Sequence, residues 1–322
     1  LAGGPVKPSE AITDSAAKVK IDSLDEPHAP VQLTIFSLPK PFSDEATTRA
    51  QLNAIRSWRA LGPGVEVLLL GDEAGIEQTA TEEGVRHLGE VARNAQGTPR
   101  IDSAFDLARR AAAGEFLLYC NADVILRGEI VELAMSLARV WPEGFLGFGR
   151  RRDVKLDRLV DWSSKERIDS QLDQLWREGR FAARVCKEYF LFRRGQFQQL
   201  PHFAVGRGNW DNWMVANSRR TGLPVVDLTA AVQALHQEHG YAHLPKGERG
   251  RPSRWECYVS GLEARENERL AGGKWLLRGC CADWRIDKGG ELKRKRWSRL
   301  NLDFWSDLPR FLRLSCRLPF QR

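Results

Sequence analysis

The chain has no run of about 18 consecutive apolar residues, so no membrane-spanning helix is expected. None of its cysteines (Cys120, Cys186, Cys257, Cys280, Cys281 and Cys316) belongs to a Cys-x-x-Cys pair, a pattern that suits a reducing cytosol better than a disulfide framework. Cys120 closes an apolar run and reads as a small buried hydrophobe. The histidine-rich stretch His236-Gln-Glu-His239-Gly-Tyr-Ala-His243 lacks the His-Glu-x-x-His spacing of a zincin. There is no internal repeat. No groove-reading motif or zinc-finger spacing accompanies the basic residues, so nucleic acid is not expected as a partner. Leu1 to Ala29 is rich in Pro, Ala, Ser and Asp, lacks a signal-peptide core, and reads as a flexible leader.

What is present is enough for a sizeable core: 322 residues, 42% apolar, with 28% charged and 9% aromatic. The net charge of +7 suits a polyanion, an anionic membrane or a phosphorylated small molecule. Residues 288–298 concentrate that charge. They read first as a solvated basic face and second as a membrane contact. The tail 304–320 interleaves arginines with bulky apolar residues, as an interfacial segment does, although packing on its own domain or a second protomer fits equally well.

From residue 31 strand-like and helix-like segments alternate. Val31–Ser37, Val65–Leu70, Glu115–Cys120 and Phe145–Phe148 read as buried strands. Ser43 or Asp44 can cap a helix with Leu52, Ile55, Trp58 and Leu61 inward, and further helical stripes run through Ile101–Ala112 and Ile130–Leu137. Such strands, apolar on both faces, imply a mostly parallel sheet covered on both sides, with ligands at the carboxyl ends of its strands. The polar residues there are Ser37 and Lys40, Asp72 and Glu73, Asn121 and Asp123, Arg150 and Arg151. After residue 155 the pattern is less regular, with strands at Glu188–Phe192 and Pro224–Asp227 and a helix at Trp210–Arg220.

Three clusters could carry chemistry. Asp123 follows a buried strand, where a carboxylate either caps a helix or holds a divalent cation against a diphosphate. In Gly206-Arg-Gly-Asn-Trp-Asp-Asn-Trp213, Asn209 can cap the next helix. Asp211 then serves the helix dipole or acts as a general base, and Trp210 and Trp213 face a sugar ring or the core. The histidines from His236 suit metal ligation, proton transfer or a satisfied core. Arg150 and its neighbours could clamp phosphates or be surface charge. Glu188 and Tyr189 could bind an acceptor hydroxyl and ring, or form an ordinary edge strand.

In this order the segments from about Leu33 to His243 resemble a bacterial and plant group of GT-A glycosyltransferase-like proteins. The matching motifs are Thr34-Ile-Phe-Ser-Leu-Pro-Lys-Pro-Phe42, Asn53-Ala-Ile-Arg-Ser-Trp58, Gly71-Asp-Glu73, Gly97-Thr-Pro99 and Asn121-Ala-Asp123. Gly149-Arg-Arg151 with Asp153, Glu188-Tyr-Phe190, the Gly206–Met214 segment and Leu235–His243 continue the series, and 263–273 is similar to the group's C-terminal region.

The resemblance implies an α/β fold of GT-A (Rossmann-like) type with a mostly parallel central sheet and helices on both faces. It would span 30–245, between the leader 1–29 and a basic, Trp/Arg-rich extension, 246–322, that is helical or irregular. It implies a nucleoside-diphosphate-sugar donor and Mn²⁺ or Mg²⁺ held by Asp123 and His236. The first acid of the D-x-D motif is replaced by Asn121. By the same likeness Asp211 is the base of an inverting transfer to an acceptor hydroxyl. Ser37, Lys40, Asp72, Glu73, Thr98, Asn121 and Arg150 lie near the donor, and Glu188, Tyr189, Trp210 and Trp213 near the acceptor. The expected location is cytoplasmic, with or without peripheral contact at an anionic membrane. A non-catalytic scaffold of this fold is the alternative. A sugar-phosphate nucleotidyltransferase ranks lower, because residues 37–42 are not a Gly-rich phosphate loop.

Overall fold

The computed structural model describes residues 31–182, 186–238, 261–272, 281–287 and 289–295. The leader, His239, His243, the tail 304–320 and parts of the basic cluster 288–298 lie outside the described residues. Among the described residues no helix is long and apolar enough to cross a membrane.

The apolar runs form a nine-stranded, mostly parallel sheet in the order β13-β12-β10-β6-β9-β4-β1-β2-β3. These strands are β1 (Leu33–Ser37), β2 (Val65–Leu70), β3 (Arg86–Leu88), β4 (Phe116–Cys120), β6 (Leu146–Phe148), β9 (Tyr189–Arg193), β10 (Val225–Asp227), β12 (Trp284–Ile286) and β13 (Leu292–Arg294). β1 pairs in parallel with β2 and β4, β2 with β3, and β10 with β6 and β12. β9 runs antiparallel between β4 and β6, and β13 antiparallel to β12. The chain winds from β1 outward to β3, then returns to place β4 on the other side of β1. That reversal is a topological switch point, where the carboxyl ends of two neighbouring strands open a crevice. Ser37 ends β1 there and Cys120 ends β4.

Alternate side chains along each strand enter two separate cores. Leu33 and Ile35 of β1, Val67 and Leu69 of β2, and Phe116 and Leu118 of β4 join Ile55 and Trp58 of α1 (Glu45–Arg59). The same layer holds Ile76 of α2 (Ile76–Glu82) and Leu133 and Leu137 of α4 (Ile130–Val140). Phe36, Leu68, Leu117 and Tyr119 face the other way, onto Phe105 of α3 (Ile101–Ala111) and Met214 of α6 (Trp210–Arg220). Both faces are covered, as a mostly parallel sheet requires. Asp44 does cap α1, its side chain accepting from the Thr47 N–H at 2.9 Å.

A second, four-stranded sheet, β5-β11-β7-β8, draws strands from both sides of residue 155, and the irregular-looking region beyond it also supplies a helix, α5 (Lys165–Glu178). Its strands are β5 (Val124–Arg127), β7 (Arg152–Val154), β8 (Arg180–Phe181) and β11 (Gln233–Gln237). Ile125, Val154 and Leu235 pack with Leu172 and Leu175 of α5 as a third core. Beyond residue 246, α7 (Leu262–Leu270) follows, and β12 and β13 extend the main sheet rather than continuing as helix or irregular chain.

Gly149, where β6 leaves the sheet, has Tyr189 pressed against it. A Cβ there would collide with the phenol, meeting Cζ at 2.8 Å. The Tyr189 hydroxyl is buried and has no hydrogen-bond partner among the described residues. Gly149→Ala should therefore cost about 1–3 kcal/mol in denaturant unfolding. Adding Tyr189→Phe, which removes the colliding and unbonded oxygen, should recover part of that loss. A Gly149→Ala protein as stable as the wild type would contradict this packing.

Candidate active site

Strand register assembles the centre of the site. Asn121-Ala122-Asp123 is the turn from β4 into β5. β11 runs antiparallel to β5 with His236 opposite Val124, and parallel to β7 with His236 opposite Asp153. His236 thus lies between two carboxylates, with Nδ1 3.0 Å from Asp153 Oδ1 and Nε2 3.7 Å from Asp123 Oδ2. A carboxylate only accepts, so Nδ1 carries the proton to Asp153, and in the neutral ring Nε2 presents its lone pair toward Asp123.

That donor set fits a divalent cation. A ligand imidazole is usually oriented by a carboxylate on its other nitrogen, the part Asp153 takes here. With ligand bonds of roughly 2.0–2.2 Å, two donor atoms on one ion lie about 3–4 Å apart. The 3.7 Å spacing of His236 Nε2 and Asp123 Oδ2 is of that size. No group of three or more His, Cys, Asp or Glu side chains converges on a metal site among the described residues. Asp123 and His236 would then be the protein's share, with water and phosphate oxygens completing the shell, as is common for Mg²⁺.

A buried arginine joins this pair to the next cluster. Arg151 forms an ion pair with Asp153 at 2.8 Å through Nε, and a tighter one with Glu188. Burial opposes the guanidinium charge, but Glu188, with Cys186, Asp153 and Asp123, more than offsets this and holds its pKa above the usual value. Glu188 also accepts from the Asn121 side-chain amide, whose oxygen accepts from the Tyr119 hydroxyl at 2.8 Å. The replaced first acid is therefore a tether to Glu188. Lys187, buried beside Glu188, donates to Asn212 Oδ1 at 2.7 Å.

Asp211 stands next to Asn212 in the first turn of α6. Burial pushes its carboxyl up to about 6, the Lys187 ammonium pulls it back, and the Glu188 carboxylate pushes it further up. Asn209 does not cap this helix as expected. It takes a left-handed φ of 88° and makes no side-chain capping bond.

The other expected site residues divide into two groups. Lys40 Nζ lies 3.9 Å from Asp123 Oδ2, and the Lys40 backbone is clamped by the Gln51 side chain. Asp72 and Glu73, beyond β2, both pair with Arg93, which also donates to the Gly97 carbonyl at 2.6 Å. By contrast, the buried Ser37 hydroxyl donates to the Cys120 carbonyl at 2.6 Å, fastening β1 to β4. Thr98 sits in a turn closed by Asn94. Arg150 is spent on the Ala182 carbonyl at 2.7 Å and on the Phe181 ring.

Of the aromatics expected near an acceptor, two are buried and one is half-buried. Tyr189 faces the core beneath Gly149, and Trp210 is wedged edge-on against Tyr119 and Phe190. Trp213, half-buried, meets Phe203.

The sequence assigned no role to Arg93, Asp153, Lys187, Asn53 or Gln237, and offered Arg151 only as one of several arginines that could clamp phosphates. Arg151 and Asp153 did stand out as charges at a strand end. Gln237 and Asn53 fell within matching motifs but had no individual signal, being polar residues in places that turn out to be buried. Gln237 donates to the Asp123 carbonyl from its backbone at 3.2 Å and its side chain at 3.3 Å, and Asn53 donates to Gln237 at 2.9 Å.

No protein-family model matches the chain, and no curated protein matches it in sequence. Among solved structures, a mannosyltransferase from Pyrobaculum calidifontis in complex with GDP-mannose and Mn²⁺ is 14% identical. The match covers 67% of this chain and 59% of that one, with a TM-score of 0.42. Glucosyl-3-phosphoglycerate synthase from Mycobacterium tuberculosis, in complex with Mg²⁺ and UDP, is 17% identical over 75% of this chain and 80% of its own, with a TM-score of 0.40. A mycobacterial protein gives 17%, 67%, 70% and 0.39 for the same quantities. At this level the likeness is one of general topology, and the ligands of those proteins remain theirs.

The raised Asp211 pKa makes a stability prediction. A carboxyl at about 6 in the folded chain against 3.8 ordinarily favours folding when protonated, and that contribution is lost as pH rises through about 6. Asp211→Asn should therefore stabilise the fold at pH 7–8 by up to about 2–3 kcal/mol, with the gain vanishing below about pH 4. Thermal melts across that range would show it. A variant no more stable than the wild type at pH 8 would mean the charge is already compensated.

Proposed function

We propose that the chain is a glycosyltransferase that moves a sugar from a nucleoside-diphosphate donor to an acceptor hydroxyl. The observation that carries this is the Asp123–His236 pair, oriented by Asp153 at the switch point of the sheet. Asp123 and His236 would hold Mn²⁺ or Mg²⁺, which when bound supplies positive charge to the leaving diphosphate. Lys40, beside Asp123, adds a second positive group on that side. Asp72, Glu73 and Arg93 lie beyond the neighbouring strand β2, where the nucleoside would extend. The family resemblance set out above supports the same placement.

Asp211 would act on the acceptor side. In its carboxylate form it takes the proton from the attacking hydroxyl as the new C–O bond forms, consistent with an inverting transfer. A carboxyl at about 6 is half-ionised near that pH and more basic than an ordinary aspartate, which suits a general base working near neutrality. Lys187 keeps the ionised form accessible, and Glu188, fixed by Arg151 and Asn121, pushes the other way.

A second reading, a non-catalytic scaffold of the same fold, rests on Asn121, whose side chain is used up on Glu188 and Tyr119. Titration calorimetry with UDP and Mn²⁺ separates it, since metal-dependent nucleotide binding belongs to the enzyme.

Turnover of a panel of sugar nucleotides should be lost with EDTA and restored by Mn²⁺ or Mg²⁺. It should rise with pH through about 6, as the Asp211 carboxylate forms. Asp211→Asn should lower kcat by about 10²–10⁴-fold with little change in donor KM, and Asp123→Ala should abolish the metal response. If no donor is bound or turned over, or if Asp123→Ala behaves as the wild type, this function is wrong.

A further inference from the structure

The segment that delivers Asp211 to the site is held from outside. Asn209, a residue with a side chain, takes a left-handed φ of 88°, and such a backbone persists only when its surroundings determine it. One support is the neighbouring turn: Val205 N–H donates to the Pro99 carbonyl at 3.0 Å and Ile101 N–H to the Phe203 carbonyl at 2.9 Å. The other is α7. Asn267, buried, accepts from Ala204 N–H at 2.9 Å and donates to the carbonyls of Ala204 at 3.0 Å and Gly208 at 3.3 Å.

One turn earlier on α7, the Glu263 carboxylate accepts from Arg207 at 2.5 and 2.9 Å and from the Asn94 side chain at 2.6 Å. Burial would raise its pKa, but Asn94, Thr98 and Arg207 hold it below the usual range. Asn94 in turn closes the 94–98 turn, its Oδ1 accepting from Gln96 N–H at 3.0 Å and Thr98 N–H at 2.9 Å. That turn is tied through Arg93 to Asp72 and Glu73. An unbroken set of polar contacts thus runs from the end of β2, through Glu263, to the turn that opens α6.

We propose that Glu263, seconded by Asn267, is a positioning residue: α7 fastens the 94–98 turn to the 204–209 turn and so sets where Asp211 stands relative to the donor. The role at the donor rests on the function proposed above. The fastening itself does not. Glu263 touches no reacting atom in this scheme. It acts through Arg207 and Asn94, and the likeness of 263–273 to the group's C-terminal region gave it no role of its own.

The test is hydrogen exchange on the full chain, paired with kinetics. Glu263→Ala should speed amide exchange about tenfold or more in peptides covering 93–98 and 204–211 together, leaving β4 and β5 unchanged. Glu263→Gln, which keeps the shape and removes the charge, should act in the same direction more weakly, and Asn267→Ala should loosen 204–211. Glu266→Ala is the control, since that carboxylate pairs with Arg269 on the exposed side of the same helix. In turnover, Glu263→Ala should raise acceptor KM and the share of donor lost to water, with donor KM within twofold. Exchange that changes in neither turn, or in only one, would overturn the proposal, as would donor and acceptor KM rising in parallel. A wild-type chain that fails to bind nucleotide with Mn²⁺ would instead sink the proposed function, while the exchange data still judge the fastening.

Discussion

Much of this structure depends on the ion pairs of one buried guanidinium. Arg151 lies between Glu188 and Asp153, and these carboxylates belong to different parts of the site. Asp153 orients the imidazole beside Asp123, while Glu188 tethers Asn121 and adds its charge to the surroundings of Asp211. Removing a partner from such a buried pair typically costs about 3–5 kcal/mol, because the remaining charge is left without compensation. Here two carboxylates, Asp153 and Glu188, would be left. The guanidinium sets the charge balance within which both halves of the site are held.

The second constraint is the polar inner face of α1. Asn53, Gln51, Ser57 and Trp58 are all buried, and each is spent on the strands or loops that carry the site. Trp58 donates to the Val124 carbonyl at 3.0 Å, Ser57 accepts from Leu126 N–H at 3.1 Å, and Gln51 clamps the Lys40 backbone. A leucine-rich face would bury more apolar area, but it would not fix the register of β5. Register is what puts His236 beside Asp123, since a one-residue slip would turn its imidazole to the other face of the small sheet.

The main sheet was largely legible from the sequence, because its strands are apolar on both faces and such runs stand out: β1, β2, β4, β6, β9 and β10 all lie where the pattern placed them. So were the cap at Asp44 and the turn at Asp123. The small sheet was not. Its strands are two to five residues long and mix charge with apolar residues, so Arg152–Val154 reads as surface. The antiparallel direction of β9 and the return of β12 and β13 to the sheet are tertiary facts with no local signature. At the site, aromatic residues beside polar motifs were ambiguous between ring-stacking and core, and burial decides for the core at Tyr189 and Trp210. Asn53, Gln237 and Glu263 lay in matching segments but had no legible role for the opposite reason, since a polar residue inside a helical or strand pattern is ordinarily solvated.

The central claim is that Asp123 and His236 are the protein's share of a metal–nucleotide site. A crystal structure with a nucleoside diphosphate and Mn²⁺ tests it most directly. The expected result is one Mn²⁺ bonded to an Asp123 oxygen and His236 Nε2 at roughly 2.0–2.3 Å, with phosphate and water oxygens completing the shell and Asp153 still on Nδ1. Manganese held elsewhere, at Asp72 and Glu73 for example, or nucleotide bound with His236 turned away from the ion, would contradict it.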